Sequence, residues 1–349
     1  MKKKNRVLLI SPNSIESFCG VAKYTKYLAE SLEKEFEVHI LTEKKFQLRS
    51  WKLRELFNFI KIIKKIKPDI VHLQLADIFL YKGFLIPLIP IILFPFKIKV
   101  IQTWHEPCGN RNFFKFLLLT LNSNKIISVR PNFKNLVKKN MIFLFRFHLY
   151  LKKINFIESS YLIKKQELKK NSINKIKKKY LNNNKRLIVS FGHSYPIKRY
   201  EMLFNVLDKK KDQLVIASNL DQRKNYDKFI INLQKKNYRN SKIVKNLNDK
   251  ELFKLISSAD VIILFIYPYV GNWNTTFNIS KISKTFTIAT SKKKIGYHKK
   301  DNVYYIKTIN VKSVKKIIKK YSSKKNENLP TINTWEKIAE EHNKVYFKN

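Results

Sequence analysis

Cysteine is scarce in this sequence: only Cys19 and Cys108 occur among 349 residues. Two cysteines cannot form the disulfide framework that stabilises small secreted domains, so we expect the reducing cytoplasm as the compartment. No pair of histidines or cysteines has metal-ligand spacing, and we predict no metal site. Neither cysteine has a partner base that the sequence identifies, and both are interpreted as passive.

Glycine is scarce as well, with six residues in the whole chain. No Gly-x-Gly-x-x-Gly pattern occurs, which argues against a nicotinamide or flavin dinucleotide site. A glycine-rich phosphate loop ending in Gly-Lys-Ser or Gly-Lys-Thr is missing too. We therefore expect no bound cofactor.

Acidic residues are few: 25 against 72 basic residues, for a net charge of +47. This excess permits nucleic-acid binding, which would be steeply salt-dependent on any duplex. The excess is nearly all lysine and is spread from Lys2 to Lys348, whereas nucleic-acid sites favour arginine forks. We therefore predict no nucleic-acid partner. An anionic membrane surface or a diphosphate ligand fits the charge better.

Long apolar runs are missing. The stretch Val7–Ile10 is too short for a signal peptide and fits a first buried strand. The longest run, Phe84–Phe96, is shorter than a membrane span and contains three prolines. It is interpreted as a buried helix and loop. The alternative is a patch that touches a membrane peripherally, because Lys82 and Lys97 flank it and Phe113–Leu121 adds apolar residues.

Short apolar runs alternate with amphipathic stretches along the chain, and a hydrophobic content of 44% is ample for two cores. Strands separated by helices indicate parallel sheets covered on both faces. A polar segment, Lys152–Ile173, interrupts the pattern, which restarts at Leu187–Phe191. Asn248 and Glu251 have the spacing of a capping box at a helix start. The sequence therefore predicts an α/β fold with two Rossmann-like domains facing across a cleft.

Ligands of such sheets bind at the carboxyl ends of the strands, so the residues that follow strands are the site candidates. In chain order these are Cys19-Gly20, His72-Leu73-Gln74, His105-Glu106-Pro107, Gly192-His193 with Lys198, and Pro268 to Thr276. Histidine, amide, lysine and glycine thus gather at one predicted edge.

Six stretches in order resemble one family. They are CGVAKYTKYLAESL from Cys19, PDIVHLQ from Pro68, TWHE from Thr103, FGHSYPIKRYEMLFNVL from Phe191, NDKELFKLISSADVIIL from Asn248 and TWEKIAEEHNKVY from Thr334. Each motif alone is weak, but together they span nearly the whole chain. They are similar to motifs of the GT-B glycosyltransferases of family 4, which use nucleotide sugars.

The resemblance implies an acceptor-binding domain over 1–160, a donor-binding domain over 161–332 and a closing helix over 333–349 that crosses back to the first domain. It implies a metal-independent, retaining transfer of a sugar from a nucleoside-diphosphate sugar. The acceptor would be a glycan or a lipid-linked glycan in cell-envelope polysaccharide synthesis. We expect a cytoplasmic enzyme, peripheral on the inner face of the membrane.

The resemblance also implies roles for single residues. Gly20 would let a backbone amide approach the donor, His105 would lie near the transferred sugar, and Lys198 would neutralise the diphosphate. His105 and Lys198 are thus the catalytic candidates. Further donor-binding candidates are Gly192, His193, Arg199, Asn272, Trp273, Asn274, Thr275 and Thr276, and acceptor-side candidates are His72, Gln74 and Glu106. His72 is alternatively a core histidine, and Trp273 is either a core residue or a stacking surface. Gly20→Val is expected to fold and to lose transfer.

The sequence departs from the family at its two donor-loop glutamates, which align with Gly271 and Ile279. Where the family has an arginine after Phe-Gly, this chain has His193. Where the family has a glycine after its motif lysine, which aligns with Lys198, this chain has Arg199. These departures favour an alternative, a GT-B scaffold without activity that serves as a binding or partner subunit. An epimerase on a similar scaffold is a further alternative, with Glu106 as its acid.

Overall fold

The computed structural model describes residues 4–11, 19–42, 51–75, 83–106, 113–131, 154–163, 167–181, 186–322, 324–325 and 332–347. Cys108 and Pro107 lie outside these ranges. The chain divides into two compact units. Unit 1 is Met1–Leu162 together with Asn333–Asn349, and unit 2 is Ile163–Ile332.

Unit 1 is built on a six-stranded parallel sheet. Its strands are β1 (Arg6–Ser11), β2 (Glu37–Thr42), β3 (Ile70–Leu75), β4 (Lys99–Trp104), β5 (Lys125–Ser128) and β6 (Ile154–Phe156), in the order β2-β1-β3-β4-β5-β6. Its described helices are α1 (Gly20–Leu32), α2 (Leu56–Ile66), α3 (Leu85–Leu93), α4 (Phe113–Leu121) and the last helix of the chain, α11 (Trp335–Phe347).

The sheet of unit 1 is covered on both faces. Strand side chains alternate between faces, so Leu8 and Ile10 of β1 join one core whereas Val7 and Leu9 join the other. Helices α2, α3 and α4 pack on the first core, and α1 and α11 pack on the second. This burial on both faces explains why the strands read as nearly continuous apolar runs.

The closing helix α11 belongs to unit 1. Just before it, Ser160 Oγ donates to the Asn333 carbonyl at 2.5 Å, and Trp335 Nε1 donates to the Tyr161 carbonyl at 2.9 Å. The Trp335 ring stacks on Tyr27 of α1, with ring centroids 5.5 Å apart. The chain thus crosses back to unit 1 and docks through a buried tryptophan.

Unit 2 contains a seven-stranded sheet. Its strands are β7 (Arg186–Phe191), β8 (Asp212–Ala217), β9 (Ser241–Val244), β10 (Val261–Leu264), β11 (Thr287–Thr290), β12 (Gly296–His298) and β13 (Val303–Ile306), in the order β12-β13-β11-β10-β7-β8-β9. All neighbours are parallel except β12, which is antiparallel to β13. The helices are α5 (Lys170–Tyr180), α6 (Glu201–Val206), α7 (Asn225–Lys236), α8 (Asp249–Ser258), α9 (Thr275–Ile282) and α10 (Val311–Tyr321). The predicted α/β fold with two parallel-sheet domains is confirmed.

The sequence predicts some helix and strand boundaries of this fold and misses others. The capping box is confirmed, because Asn248 Oδ1 accepts from Glu251 N and Glu251 Oε2 accepts from Asn248 N, both at 2.9 Å. Helix α5 begins at Lys170, inside the polar segment Lys152–Ile173. Helices α7 and α10 and the edge strand β12 were not predicted. The stretch Trp51–Ile66 has the basic amphipathic pattern that predicts one helix, but regular α-helix begins only at Leu56, after a 3₁₀ turn.

The apolar run Phe84–Phe96 forms α3 and a following 3₁₀ turn. Most side chains of α3 are buried, in agreement with the interpretation as a buried helix. Phe84, Phe94 and Phe96 at its two ends are exposed. Within the described ranges, no helix combines the length and the hydropathy needed to cross a bilayer.

Candidate functional site

The predicted donor-binding residues Gly192 and Thr276 and the catalytic candidate Lys198 lie together at the carboxyl end of β7 in unit 2. Gly192 follows the strand with a φ of +112°, a conformation that glycine adopts freely and other residues adopt only with strain. A Cβ atom at this position would lie 2.9 Å from Thr276 Oγ1 and 3.0 Å from Lys198 Nζ. Glycine is therefore required here both for the backbone angle and for the space beside two polar side chains.

Lys198 is a buried cation at the centre of this group. The 3₁₀ turn Pro196–Lys198 brings its side chain back under Gly192, where Nζ donates to Thr276 Oγ1 at 3.0 Å. Only 8% of the residue is exposed, and this burial lowers the pKa of Lys198 to about 8. An ammonium has three protons, so the bond to Thr276 leaves donors for a ligand.

The N-terminus of α9 lies at the same place. Asn274 is the N-cap, and its Oδ1 accepts from Phe277 N at 3.0 Å. The N–H groups of Thr275 and Thr276 have no acceptor within the helix. A helix N-terminus carries partial positive charge. A buried ammonium, a hydroxyl and helix amides together suit an anionic group such as a phosphate.

Contacts between two loops hold Lys198 and α9 together. Tyr267 N donates to the Ile197 carbonyl at 2.7 Å, and the Arg199 guanidinium lies 4.7 Å from the centre of the Tyr267 ring. Asn272 is exposed, but its carbonyl accepts from Asn278 Nδ2 at 2.7 Å. Arg199 and Asn272 are thus placed around the site by contacts that also shape its loops.

The two positions aligned with the family glutamates carry no acid. An added Cβ at Gly271 would lie 2.2 Å from the Trp273 ring, so Trp273 covers that position. Trp273 is half-buried and meets Tyr269 edge to face, with centroids 5.8 Å apart. Ile279 is buried on α9. His193 is exposed beside Tyr195, with ring centroids 6.5 Å apart.

The candidates of unit 1 form a chain of hydrogen bonds that leads to His105. His105 Nε2 bonds Gln74 Oε1 at 3.0 Å, and Gln74 Nε2 bonds His72 Nε2 at 3.1 Å. His72 Nδ1 bonds Tyr346 Oη of α11 at 2.7 Å. Because the Gln74 amide donates, His72 Nε2 accepts and its Nδ1–H donates to Tyr346. Likewise His105 donates through Nε2–H, which leaves its Nδ1 as the acceptor.

His72 and Gln74 were predicted to contact an acceptor, but both are fully buried. The interpretation of His72 as a core histidine is the one that the geometry supports, since Thr103 Oγ1 also bonds its Nε2 at 2.8 Å. Instead of contacting an acceptor directly, His72 and Gln74 have a positioning role, because their hydrogen bonds determine the tautomer and the orientation of His105. The strand pairing explains these contacts. Strands β3 and β4 are parallel neighbours in which Gln74 pairs with Thr103, so the side chains at the ends of the two strands lie side by side.

His72, His105 and His342 lie close together in unit 1. The ring centroids of His72 and His342 are 5.5 Å apart. Burial lowers the pKa of His105 to about 3 and that of His342 to about 4, and it holds the pKa of His72 well below its usual value. His342 Nδ1 donates to the Ile338 carbonyl at 2.8 Å, whereas its buried Nε2 has no hydrogen-bond partner among the described residues. All three rings are therefore neutral at pH 7.

Gly20 and Glu106 complete the candidates of unit 1. Gly20 is exposed at the first residue of α1, and among the described residues an added Cβ would meet only Leu162 Cδ1, at 3.8 Å. Glu106 forms an ion pair with Arg130, whose Nε donates to the His105 carbonyl at 3.3 Å. A valine at Gly20 is thus compatible with folding, and Glu106 is partly neutralised.

Several residues of these sites were missed at the sequence level. His342 and Tyr346 lie one helical turn apart on the buried face of α11, a spacing that the sequence does show. Asp227 is almost fully buried in α7 and accepts from Ser194 Oγ and, at 2.8 Å, from Asp221 N. Asp227 thereby ties the loop after β7 to the loop after β8. No described group of histidine, cysteine or acidic residues could hold a metal ion.

Comparison with known proteins identifies the fold. No family model matches the chain, and no curated protein sequence does. Among solved structures, sucrose-phosphate synthase from Thermosynechococcus elongatus matches with a TM-score of 0.71 at 12% identity, covering 98% of both chains. Anabaena HepE in complex with UDP-glucose matches with a TM-score of 0.63 at 10% identity, covering 98% of this chain and 95% of that one.

An enzyme of another class also matches. UDP-GlcNAc 2-epimerase from Methanocaldococcus jannaschii aligns with a TM-score of 0.58 at 14% identity, over 99% of this chain and 100% of that chain. At these identities the likeness concerns the fold alone. The chain has the α/β fold of GT-B glycosyltransferases, as the sequence motifs predicted.

Proposed function

We propose that this protein is a glycosyltransferase that moves a sugar from a nucleoside-diphosphate sugar to a glycan or lipid-linked acceptor. The observation that carries the proposal is the buried Lys198 beside Thr276 and the N-terminus of α9. A fold shared with HepE, whose structure contains UDP-glucose, supports the choice of donor. A role in cell-envelope polysaccharide synthesis remains part of the proposal.

Lys198 supports the bond-breaking step. Transfer breaks the bond between the anomeric carbon and a phosphate oxygen, while the acceptor oxygen forms the new bond and its proton passes to the leaving diphosphate. Negative charge grows on the leaving diphosphate, so an ammonium and helix amides directed at it lower the barrier. These groups supply positive charge of the kind that a divalent cation supplies in other enzymes, which is why we propose metal-independent transfer.

His105 is the group of unit 1 that we propose to contact the transferred sugar. Its Nδ1 is an acceptor, and its neutral state at neutral pH suits a hydrogen bond from a sugar hydroxyl. Retention of the anomeric configuration is proposed from the resemblance. Proton NMR of the first product formed would test it, because the anomeric coupling distinguishes the two configurations.

Two alternatives are distinguished by outcome. The missing acids at Gly271 and Ile279 favour a scaffold that binds a nucleotide sugar without turnover. The likeness to an epimerase favours isomerisation of the sugar. The ion pair of Glu106 with Arg130 speaks against the epimerase, because it occupies the one acid predicted for that reaction.

The test is turnover of a panel of UDP-, ADP- and GDP-sugars by the purified protein, measured as release of the nucleoside diphosphate. We expect release with at least one donor and a loss of at least 100-fold in Lys198→Met. Lys228→Met, an exposed lysine of the same unit, is the matched control and should keep full activity. Binding without release supports the scaffold, and an epimeric sugar supports the epimerase. No binding of any donor would overturn the proposal.

A further inference from the structure

Helices α2, α3 and α4 form one layer on a single face of the unit 1 sheet. Their inward side chains, among them Phe59, Ile63, Leu85 and Phe116, belong to one core. The layer is continuous. An added Cβ at Gly83 would lie 1.8 Å from the Trp51 carbonyl oxygen, so the start of α3 touches the segment before α2. We name the outer side of this layer the outer face.

The outer face concentrates exposed apolar side chains. Large apolar residues exposed there, with their exposed fractions, are Leu53 (52%), Phe57 (78%), Phe84 (41%), Phe94 (68%), Phe96 (44%), Phe114 (59%) and Leu121 (45%). Lys115 Nζ lies 4.9 Å from the centre of the Phe84 ring, which connects α4 to the start of α3. Single exposed apolar residues are ordinary, but a group on adjacent helices marks an interaction surface.

The same face is basic. Its exposed cations are Lys52, Arg54, Lys61, Lys64, Lys65, Lys67 and Lys97, and Lys115 is partly exposed. The one carboxylate in these segments, Glu55, is almost fully buried. On α2, Phe57 and the lysines at 61, 64 and 65 share the helical spacing of one side. Phenylalanines with lysines around them form the pattern of a helix that lies in a membrane interface.

We propose that the outer face docks on an anionic lipid bilayer. Phenylalanine rings would enter the boundary between headgroups and acyl chains, and lysine stems would keep their ammonium groups among the phosphates. Charge argues against a second copy as the occupant, because two such faces would bring eight cations against eight. Docking does not depend on donor chemistry, so this proposal and the proposed transfer can fail independently.

Vesicle flotation tests the docking with two vesicle types: pure phosphatidylcholine, and phosphatidylcholine with about 30% of the anionic lipid phosphatidylglycerol. We expect binding to the anionic vesicles and a loss of at least tenfold when Phe57, Phe94 and Phe114 are all changed to serine. The matched control changes Phe229, Tyr238 and Ile295 of unit 2, which have comparable exposure, to serine. It should bind like the unmodified protein.

A second pair of variants separates the outer face from the overall charge. Lys61, Lys64 and Lys65 of α2 are changed to glutamine, and the control changes Lys315, Lys316 and Lys319 of α10. Equal losses in the two variants would show non-specific attraction and overturn the proposal. Failure of the unmodified protein to bind, or unchanged binding of the triple serine variant, would overturn it too.

Single tryptophan substitutions make the test independent of how the triple variants fold. Phe94→Trp is compared with Phe229→Trp, both at exposed positions. Lipids carrying bromine on their acyl chains should quench the added fluorescence of the first variant and leave that of the second unchanged. Equal quenching would contradict insertion of the outer face.

Discussion

Lys198 is a buried cation whose charge depends on pH near neutrality. Its pKa of about 8 results from burial, and the bond to Thr276 does not offset that cost. A bound diphosphate favours the charged ammonium and would raise the pKa again. The affinity for a diphosphate is therefore linked to the protonation of one side chain.

This linkage gives a pH prediction. Above the pKa of about 8, binding must first protonate Lys198, so the affinity falls as the pH rises. Between pH 7 and pH 9 we expect UDP to bind about tenfold more weakly by isothermal titration calorimetry. Lys198→Arg should flatten the profile because arginine stays charged, and Lys198→Met should be flat and weak. A profile shared by all three proteins would show that Lys198 is not the titrating group.

Gly192 is a second residue whose role can be isolated. Gly192→Ala combines a strained φ with contacts of 2.9 and 3.0 Å to Thr276 and Lys198. Gly296 has a φ of +86°, and no atom of the described part of the chain lies within 4 Å of an added Cβ, so Gly296→Ala introduces the backbone strain without these contacts. We expect both variants to lose about 1–2 kcal/mol in urea unfolding, and only Gly192→Ala to lose UDP affinity as well. Equal UDP affinities of the two variants would show that Gly192 is not part of the donor site.

Helix α11 is the element that links the end of the chain to the candidate His105. Tyr346 bonds His72 although 274 positions of sequence separate them, and the His342 ring, 270 positions away from His72, lies beside it. No local pattern of the sequence carries contacts of this range. The strand ends, in contrast, were predictable because parallel neighbours bring His72, Gln74 and His105 to one edge.

The sequence predicts the central strands more clearly than some of the helices, and the reason is physical. Central strands are buried on both faces and read as apolar runs, so Val7–Ile10 and Leu187–Phe191 predict β1 and β7 within one residue. The short edge strand β12 is only partly buried and was not predicted. Helices α7 and α10 are rich in lysine and asparagine and have only narrow apolar stripes, such as Val314, Ile317 and Ile318. Trp273 over Gly271 could not be predicted, since the space at a glycine is visible only in three dimensions.

The histidine cluster beneath α11 predicts acid sensitivity of unit 1. Unfolded histidines take up protons below their usual pKa of 6.5. In the fold, burial lowers the pKa of His342 to about 4 and that of His105 to about 3, and it holds the pKa of His72 well below its usual value. Stability is therefore complete above pH 6.5 and falls as the pH drops from 6.5 to 4. Three protons give a limiting slope of about 4 kcal/mol per pH unit.

Urea unfolding followed by tryptophan fluorescence measures this slope, because Trp51, Trp104 and Trp335 lie in unit 1 and only Trp273 lies in unit 2. His342→Leu should reduce the slope by about one proton's share, 1.4 kcal/mol per pH unit. The control is His193→Leu, an exposed histidine of unit 2. A slope that His342→Leu leaves unchanged would contradict neutral burial of this ring.

At the scale of the whole molecule, a charge of +47 makes anion binding by itself uninformative. Unit 2 also contains a cavity of about 550 Å³ lined by Arg186, Lys209, Lys211, Lys315, Lys316 and Lys319. This cavity lies at the amino end of β7, where Arg186 begins the strand, whereas Gly192 follows its carboxyl end. A nucleoside diphosphate thus has two basic places to bind in one unit. We assign the nucleoside diphosphate to the place beside Lys198.

Hydrogen–deuterium exchange with UDP, ADP and GDP decides between the two places most directly. We expect at least one nucleotide to protect the backbone amides of residues 192–199 and 271–277 from exchange. Protection confined to residues 205–212 and 315–319, which line the other cavity, would contradict the assignment of the donor site to Lys198 and α9.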